Sequence, residues 1–255
     1  MSGTITRRGL AAGAAAMGGL LLAGCDRLSQ SQGGIRRVLE LDETFNYRAQ
    51  RLLQAGQPLA REYREADISR VFKVNGSSMP DSADFQRSMA NGFADWRLVI
   101  DGLVERPTQL SLEQIQKLPA RTQITRHDCV EGWSCIGKWT GVPLGLLLKS
   151  AGLKPNSRFV VFHCADNGPG SLSPYYESVD LIDAFHPQTV LAYRLNDQPL
   201  PVGHGAPLRL RLERQLGYKH AKYVMRIEVV DALKGLFGGK GGFWEDRGYE
   251  WYAGI

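Results

Sequence analysis

The sequence predicts an α+β fold, many short strands with a few short helices between them. Apolar runs of strand length recur at residues 96–100, 158–162, 189–195, 208–212 and 223–230. The helix signals, by contrast, span only a turn or two each. Neither an internal repeat nor a glycine-rich phosphate loop opening a helix is present, since Gly238-Gly239-Lys240-Gly241-Gly242 lacks that context.

Residues 1–25 read as an export signal. Thr6-Arg7-Arg8-Gly9-Leu10 precedes a Gly/Ala/Leu run of about 16 residues, short of the roughly 20 that a membrane span needs. Paired arginines before a weakly apolar stretch resemble a twin-arginine signal. Leu22-Ala23-Gly24-Cys25 resembles a lipobox, with Asp26 placed like an inner-membrane retention residue. The expectation is a periplasmic protein held at the outer face of the inner membrane through a lipidated Cys25. Residues 26–34 form a polar tether, and residues 35–54 have helical spacing with many charges. Residues 57–84 carry turn chemistry at Asn75-Gly76 and Met79-Pro80-Asp81, an irregular stretch able to reach a ligand.

The main domain is expected from residue 96 to residue 255. Residues 96–100 read as a strand, and Asp101-Gly102 as a hairpin turn into Leu103-Val104. Ser111-Leu112-Glu113-Gln114 fits a capping box for a short helix ending before Pro119. Pro143 at a first turn, the run 144–148 and Gly152 as a stop give another.

A formal charge of +5 falls to +3 without residues 1–25, leaving 29 basic against 26 acidic side chains. That excess argues against a nucleic-acid partner, although converging bases still favour an anionic ligand. Beyond Cys25, Cys129, Cys135 and Cys164 remain, an odd set with no CxxC. At least one thiol is therefore protected, reactive or ligating.

The chemistry concentrates in Arg126-His127-Asp128-Cys129-Val130-Glu131-Gly132-Trp133-Ser134, which runs on to Trp139-Thr140-Gly141-Val142-Pro143-Leu144. Alone, Cys129 reads as an ordinary buried thiol or half of a disulfide. In its context the segment resembles the molybdopterin-binding domain of sulfite-oxidase-type enzymes. Within them it is most similar to the periplasmic methionine-sulfoxide-reductase branch, where Cys-Val-Glu-Ala-Trp-Ser leads into Trp-x-Gly-x-Pro-Leu. The resemblance covers residues 71–231. It implies the sulfite-oxidase catalytic fold, a molybdenum–molybdopterin cofactor, and Cys129 as its thiolate ligand. A soft thiolate suits such a metal, and polar or cationic neighbours such as Arg126 and His127 favour the thiolate form.

A second constellation follows in Pro201-Val202-Gly203-His204-Gly205-Ala206-Pro207-Leu208-Arg209 and Gly217-Tyr218-Lys219-His220-Ala221-Lys222. The family has (Asn/His)-Gly-x-Pro-x-Arg, then Gly-(aromatic)-Lys and a further Lys. The resemblance places Arg209, Gly217, Tyr218 and Lys219 at the cofactor's phosphate end, where forked donors and backbone N–H groups suit a dianion. His204 is either a pterin partner or a turn residue. Asn75 lies near the family's pterin-facing Asn, but Gly76 to Met79 lack the aromatic and acid that follow it there. Cys164 stands where the branch has a cofactor-touching Thr; it is equally a core residue or a disulfide partner for Cys135. Tyr175 and Tyr176 match the mouth of the site, either hydrogen-bonding a substrate oxygen or packing at the rim. Residues 243–252 suit a partner surface or a packed C-terminal strap.

The implied reaction is two-electron oxygen-atom transfer. Sulfite-oxidising enzymes follow their Cys with Ala-Gly-Asn-Arg-Arg, whereas Val130-Glu131-Gly132-Trp133 here carries an acid and no arginine. A neutral S-oxide or N-oxide, free or protein-bound, is therefore the expected substrate, with electrons from a membrane quinone-linked partner. With little chain beyond Val230 for an immunoglobulin-like dimerisation domain, a monomer is expected. An inactive binding domain on the same fold, a sulfite-dehydrogenase-like oxidase and thiol chemistry between Cys129 and Cys135 are the alternatives.

Overall fold

The structure, a computed structural model, describes residues 45, 47–52 and 58–255. The signal, lipobox and tether expected over residues 1–34 lie outside the described residues, as does much of the helix expected over 35–54, of which 45 and 47–52 are helical. The chain divides into two units, residues 1–56 and 57–255, and the second holds every feature that follows. Among the described residues no helix is long and apolar enough to cross a membrane.

In chain order the strands are β1 (Arg97–Gly102), β2 (Thr108–Ser111), β3 (Arg121–Cys129), β4 (Trp133–Pro143) and β5 (Phe159–Asn167). They continue with β6 (Pro174–Asp180), β7 (Val190–Leu195), β8 (Gln198–Pro199), β9 (Arg209–Arg211) and β10 (Val224–Val230). Helix α1 (Ala83–Ala90) precedes β1, and α2 (Leu112–Gln116), α3 (Leu144–Ala151) and α4 (Leu181–Ala184) lie between strands. One sheet runs β2-β1-β10-β5-β6, with β1 and β10 parallel and the other pairs antiparallel. The other runs β3-β4-β7-β8, and β9 adds to β7. This is the α+β architecture of mixed sheets and short helices that the sequence predicts.

One core lies where Leu98, Ile100, Phe162 and Ile227 of the first sheet meet Leu191 and Leu210 of the second, with Leu144 and Leu148 of α3 among them. The helix ends follow local chemistry. Ser111 Oγ accepts from Gln114 N (3.1 Å) while Gln114 Oε1 accepts from Ser111 N (2.8 Å), the expected capping box. Gly152 closes α3 at φ +73°.

Three features depart from expectation. Asp101-Gly102 is not a hairpin turn: β1 runs through both residues, paired with Glu228 and Val229 of β10. Gly102 is required there because a Cβ would lie 2.3 Å from the Val229 carbonyl oxygen. Helix α1 starts at the end of the stretch 57–84 read as irregular and runs past it, capped by Ser82 Oγ on Phe85 N (3.2 Å), with Phe85 packed edge-on against Tyr223. The hairpin β3–β4, the longest strand pair, was not foreseen at all. Its cause is the inward face of β3, which is polar: Gln123, Thr125 and His127 are all buried.

Candidate active site

Cys129 is the last residue of β3, opposite Trp133, and a three-residue turn of Val130, Glu131 and Gly132 joins the two strands. Gly132 takes φ +83°, and its N–H donates to the Cys129 carbonyl at 3.0 Å. The hairpin thus carries Cys129 at its tip, into a pocket of about 350 Å³ that Asn75, Asp166, Tyr175, Gly217 and Lys222 also line. Cys129, Cys135 and Cys164 are free thiols. In this register Cys135 opposes His127 rather than Cys129, leaving the two thiols a diagonal apart, about 7–8 Å at their Cα atoms and beyond disulfide reach.

Burial pushes the Cys129 thiol above its ordinary range and the Glu131 charge adds to this, while the Glu131 N–H, Lys73 and Arg209 pull it back. Arg126 and His127 do not supply the expected cationic surroundings. Strand alternation points Arg126 outward, paired with Asp128 at 2.9 Å. His127 is buried and neutral: its Nδ1 faces Arg211 Nη1 at 3.0 Å, and a guanidinium only donates, so Nδ1 accepts. Burial, followed by the nearby His220 and Arg209, holds His127 far below the usual imidazole range.

Beneath the pocket Arg209 is fully buried on β9. Its Nη1 donates to the His204 carbonyl (3.1 Å), its Nη2 to Asn75 Oδ1 (3.0 Å), and its Nε has no partner. Burial and Arg211 pull Arg209 down to about 9. Three of the other buried bases differ sharply. Arg211 pairs with Glu213 (2.7 Å), Arg214 with Asp183 (2.6 Å), and Lys219 with both Glu177 and Glu245 (2.5 Å each). Among the described residues Arg209 has no carboxylate partner.

Lys219 is therefore not where the resemblance placed it. Its ammonium is enclosed by two carboxylates, away from the pocket lining, because the 3-10 turn Gly217–Lys219 turns it toward the C-terminal strap. Lys222 and His220 line the pocket instead. Lys222 Nζ donates to the carbonyls of Asn75 (2.8 Å), Gly203 (2.9 Å) and Ser77. Burial and Arg209 bring it down to about 7. His220 Nε2 donates to the Gln215 carbonyl at 3.0 Å, so its buried, unpartnered Nδ1 presents a lone pair. Gly217 lines the pocket at a point of close approach, where a Cβ would fall 2.5 Å from His127 Nε2. Tyr218 is a wall residue with its hydroxyl on the Glu250 carbonyl (2.6 Å).

Asp166, which sequence reasoning missed, is buried at the end of β5. One oxygen accepts from Ser77 Oγ (2.5 Å) and the other has no partner. Burial raises its carboxyl to about 6, against the pull of Ser77 and Lys222. The only sequence signal was its position two residues after Cys164. Cys164 itself packs against the core, its thiol far above its ordinary range through burial and then Asp166. His204 lies behind the lining, edge-on to Phe72, with an unpartnered Nδ1, and burial and Arg209 lower it to about 4. Tyr175 lines the pocket with its hydroxyl on the Tyr218 carbonyl (2.6 Å), whereas the Tyr176 hydroxyl is held by Asp246 (2.6 Å).

The molybdenum–pterin group can be tested against these residues. Such a group brings a phosphate dianion, pterin N–H donors and a metal needing a thiolate. Unpartnered buried atoms on Arg209, Asp166 and His220, a free thiol, and a surplus of buried positive charge around Arg209 and Lys222 match that chemistry. The residues fit.

Comparison with known proteins agrees. Residues 86–236 match the family model described as an oxidoreductase molybdopterin binding domain. A putative protein-methionine-sulfoxide reductase subunit YedZ1 from Azospira oryzae is 36% identical over 239 residues, covering 93% of this chain and 84% of that protein. The protein-methionine-sulfoxide reductase catalytic subunit MsrP of Gluconobacter oxydans is 37% identical over 147 residues, 53% of this chain; the match spans 47% of that protein's length. The sulfane dehydrogenase SoxCD of Paracoccus pantotrophus matches at a TM-score of 0.49 and 26% identity, over 54% of this chain and 39% of that one.

Proposed function

Because the chain belongs to the oxidoreductase molybdopterin-binding domain family, we propose that its pocket holds a molybdenum–pterin group and uses it to reduce an S-oxide or N-oxide. The observation that carries this is the meeting of a free Cys129 thiol with unpartnered buried polar atoms in and beneath one pocket.

When bound, the group supplies a two-electron couple and an acceptor for the oxygen atom. The balance for an S-oxide is R2SO + 2 e⁻ + 2 H⁺ → R2S + H2O. Cys129 ligates the metal and must give up its proton on loading. Arg209 and Lys222 hold the phosphate end through charge and the free Arg209 Nε. Asn75 braces Arg209, while the open oxygen of Asp166 and the Nδ1 lone pair of His220 accept pterin N–H groups. Gly217 allows the tip of β3–β4 to close on this cradle. Glu131, on the same tip, disfavours an anionic substrate. Electrons come from a separate partner, which we propose to be a membrane quinone-linked subunit, with the chain exported folded and anchored in the periplasm through Cys25.

The test is the molybdenum and pterin content of protein from a host that makes the cofactor, compared with Cys129→Ala. Wild type should hold near one of each per chain and reduce a sulfoxide with an artificial donor. C129A should lose the thiolate-to-metal absorption and the turnover. Well-folded wild type with neither metal nor pterin refutes the reading.

A further inference from the structure

The pocket has two unlike halves. Asn75, Ser77, Asp166, His220 and Lys222 make the polar half, which the cofactor's donors and phosphate require. The other half is aromatic and comes largely from the chain beyond β10. Trp244 and Tyr249 lie 5.1 Å apart between ring centres, and Tyr249 meets the Tyr218 ring edge-on at 5.2 Å. Phe243 backs them, edge-on to Trp244 at 5.3 Å and stacked on Tyr175 at 5.5 Å.

This wall is anchored. The Leu216 N–H donates to the Ala253 carbonyl (2.9 Å), Trp251 Nε1 to Ser178 Oγ (2.8 Å), and Lys219 grips Glu245. The hydroxyls of Tyr175 and Tyr218 are both spent on backbone carbonyls, leaving only ring surface for a ligand. Tyr249 differs: it is 41% exposed, and its hydroxyl makes no hydrogen bond among the described residues. The charged group beside this half is Glu131, held in place by Trp133 Nε1 at 2.7 Å.

We propose that the aromatic half is the substrate site: Trp244 and Tyr249 enclose the carbon arms of a neutral S-oxide, and the Tyr249 hydroxyl donates to its oxygen. An S-oxide combines apolar arms with a strongly accepting oxygen and no net charge. Ring faces bury the arms, and a free phenol supplies the one donor the oxygen needs. An oxyanion would meet ring faces of negative potential and the Glu131 carboxylate, because the nearby bases, Arg247 over the Phe243 ring and Lys73 over the Trp133 ring, are not among the residues that line the pocket. The choice of substrate thus sits in the C-terminal segment and the β3–β4 tip together. This inference rests on the reductase reading above.

The experiment uses cofactor-loaded wild type, Y249F, W244L and E131Q. Calorimetry measures the dissociation constant of methyl p-tolyl sulfoxide for the resting oxidised enzyme, and turnover with reduced viologen gives KM and kcat. Loss of one neutral hydrogen bond should weaken sulfoxide binding in Y249F about 3- to 10-fold at unchanged molybdenum and pterin content. W244L should lose at least as much. E131Q should tighten sulfite as a competitor, since it removes a like charge beside the site. Should W244L fail to hold cofactor, Y249F decides, because it keeps the ring and its packing. Loaded Y249F that binds the sulfoxide as tightly as wild type overturns the inference and leaves the reductase reading standing. Loaded wild type that neither binds nor reduces any sulfoxide or N-oxide overturns both.

Discussion

Replacing Lys219 with Met keeps the length of the side chain and removes its charge. Glu177 and Glu245, at 0% and 1% exposure, then face each other with no cation between them. In the native arrangement burial pulls the lysine down, but the two carboxylates more than offset it and hold its ammonium charged. Removing one member of a buried ion cluster costs about 3–5 kcal/mol, because the remaining charges stay desolvated. For a chain of this size that corresponds to a fall in Tm of about 6–20 °C. Glu177 already sits well above the usual carboxylate range through burial and Glu245, so it relieves the variant by taking up a proton. An acid whose folded-state pKa is raised stabilises the fold at low pH and loses that contribution as pH rises. The K219M penalty should therefore be smallest near pH 5 and grow toward pH 8. Urea denaturation of cofactor-free protein across that range measures it. Neutralising the whole cluster, Glu177→Gln with Lys219→Met and Glu245→Gln, should cost less than K219M alone. A K219M loss under about 1 kcal/mol, accompanied by loss of bound pterin, would refute this account and return Lys219 to the phosphate.

Asp166→Asn should stabilise the cofactor-free protein above pH 6. The wild-type acid, raised from 3.8 to about 6, favours the fold when protonated and loses up to about 3 kcal/mol as pH climbs through that window. The same variant should bind less pterin, and equal stability of the two proteins at pH 8 would count against the burial argument. Lys222, lowered to about 7, penalises the cofactor-free fold increasingly as pH falls from about 10 to 7. A bound dianion removes that penalty, so the gap in Tm between loaded and cofactor-free protein should be wider at pH 7 than at pH 9. Gly217→Ala places a methyl group 2.5 Å from His127 Nε2 and should force the hairpin tip outward. A cost of about 1–3 kcal/mol and a several-fold fall in molybdenum content are expected, read by melting and metal analysis.

Sequence legibility followed burial of apolar groups. Strands β5, β7 and β10 declared themselves because their inward positions are Val, Leu and Phe, and α2 because its cap is a local pattern of side chain and backbone. The hairpin β3–β4 was silent because Gln123 and His127 fill the inward positions of β3, satisfied by Glu213 and Arg211 from another segment. No periodicity of apolar residues marks such a strand. The motif around Cys129 was legible by resemblance, yet it said nothing of which way neighbouring residues face. Arg126 alternates outward, and Lys219 and Lys222 are three residues apart in irregular chain that sends one to a glutamate pair and the other to the pocket.

The bases of residues 209–222 show why such a site resists reading from composition. Arg209, Arg211, Arg214, Lys219 and Lys222 are all buried, although bases in a segment read alone belong on the surface. Three are paired with carboxylates, and Lys222 spends all three of its ammonium protons on backbone carbonyls. Arg209 receives only the side-chain oxygen of Asn75 and the carbonyl of His204, both neutral. A fully desolvated guanidinium with no counter-ion among the described residues costs the cofactor-free fold several kcal/mol, and an anion of matching shape would recover that energy. The molybdenum–pterin group then acts as part of the core, and its loading and the stability of the domain become one equilibrium. Arg209→Gln should consequently melt no lower than wild type without cofactor while holding far less pterin, a separation that an ordinary structural arginine could not produce.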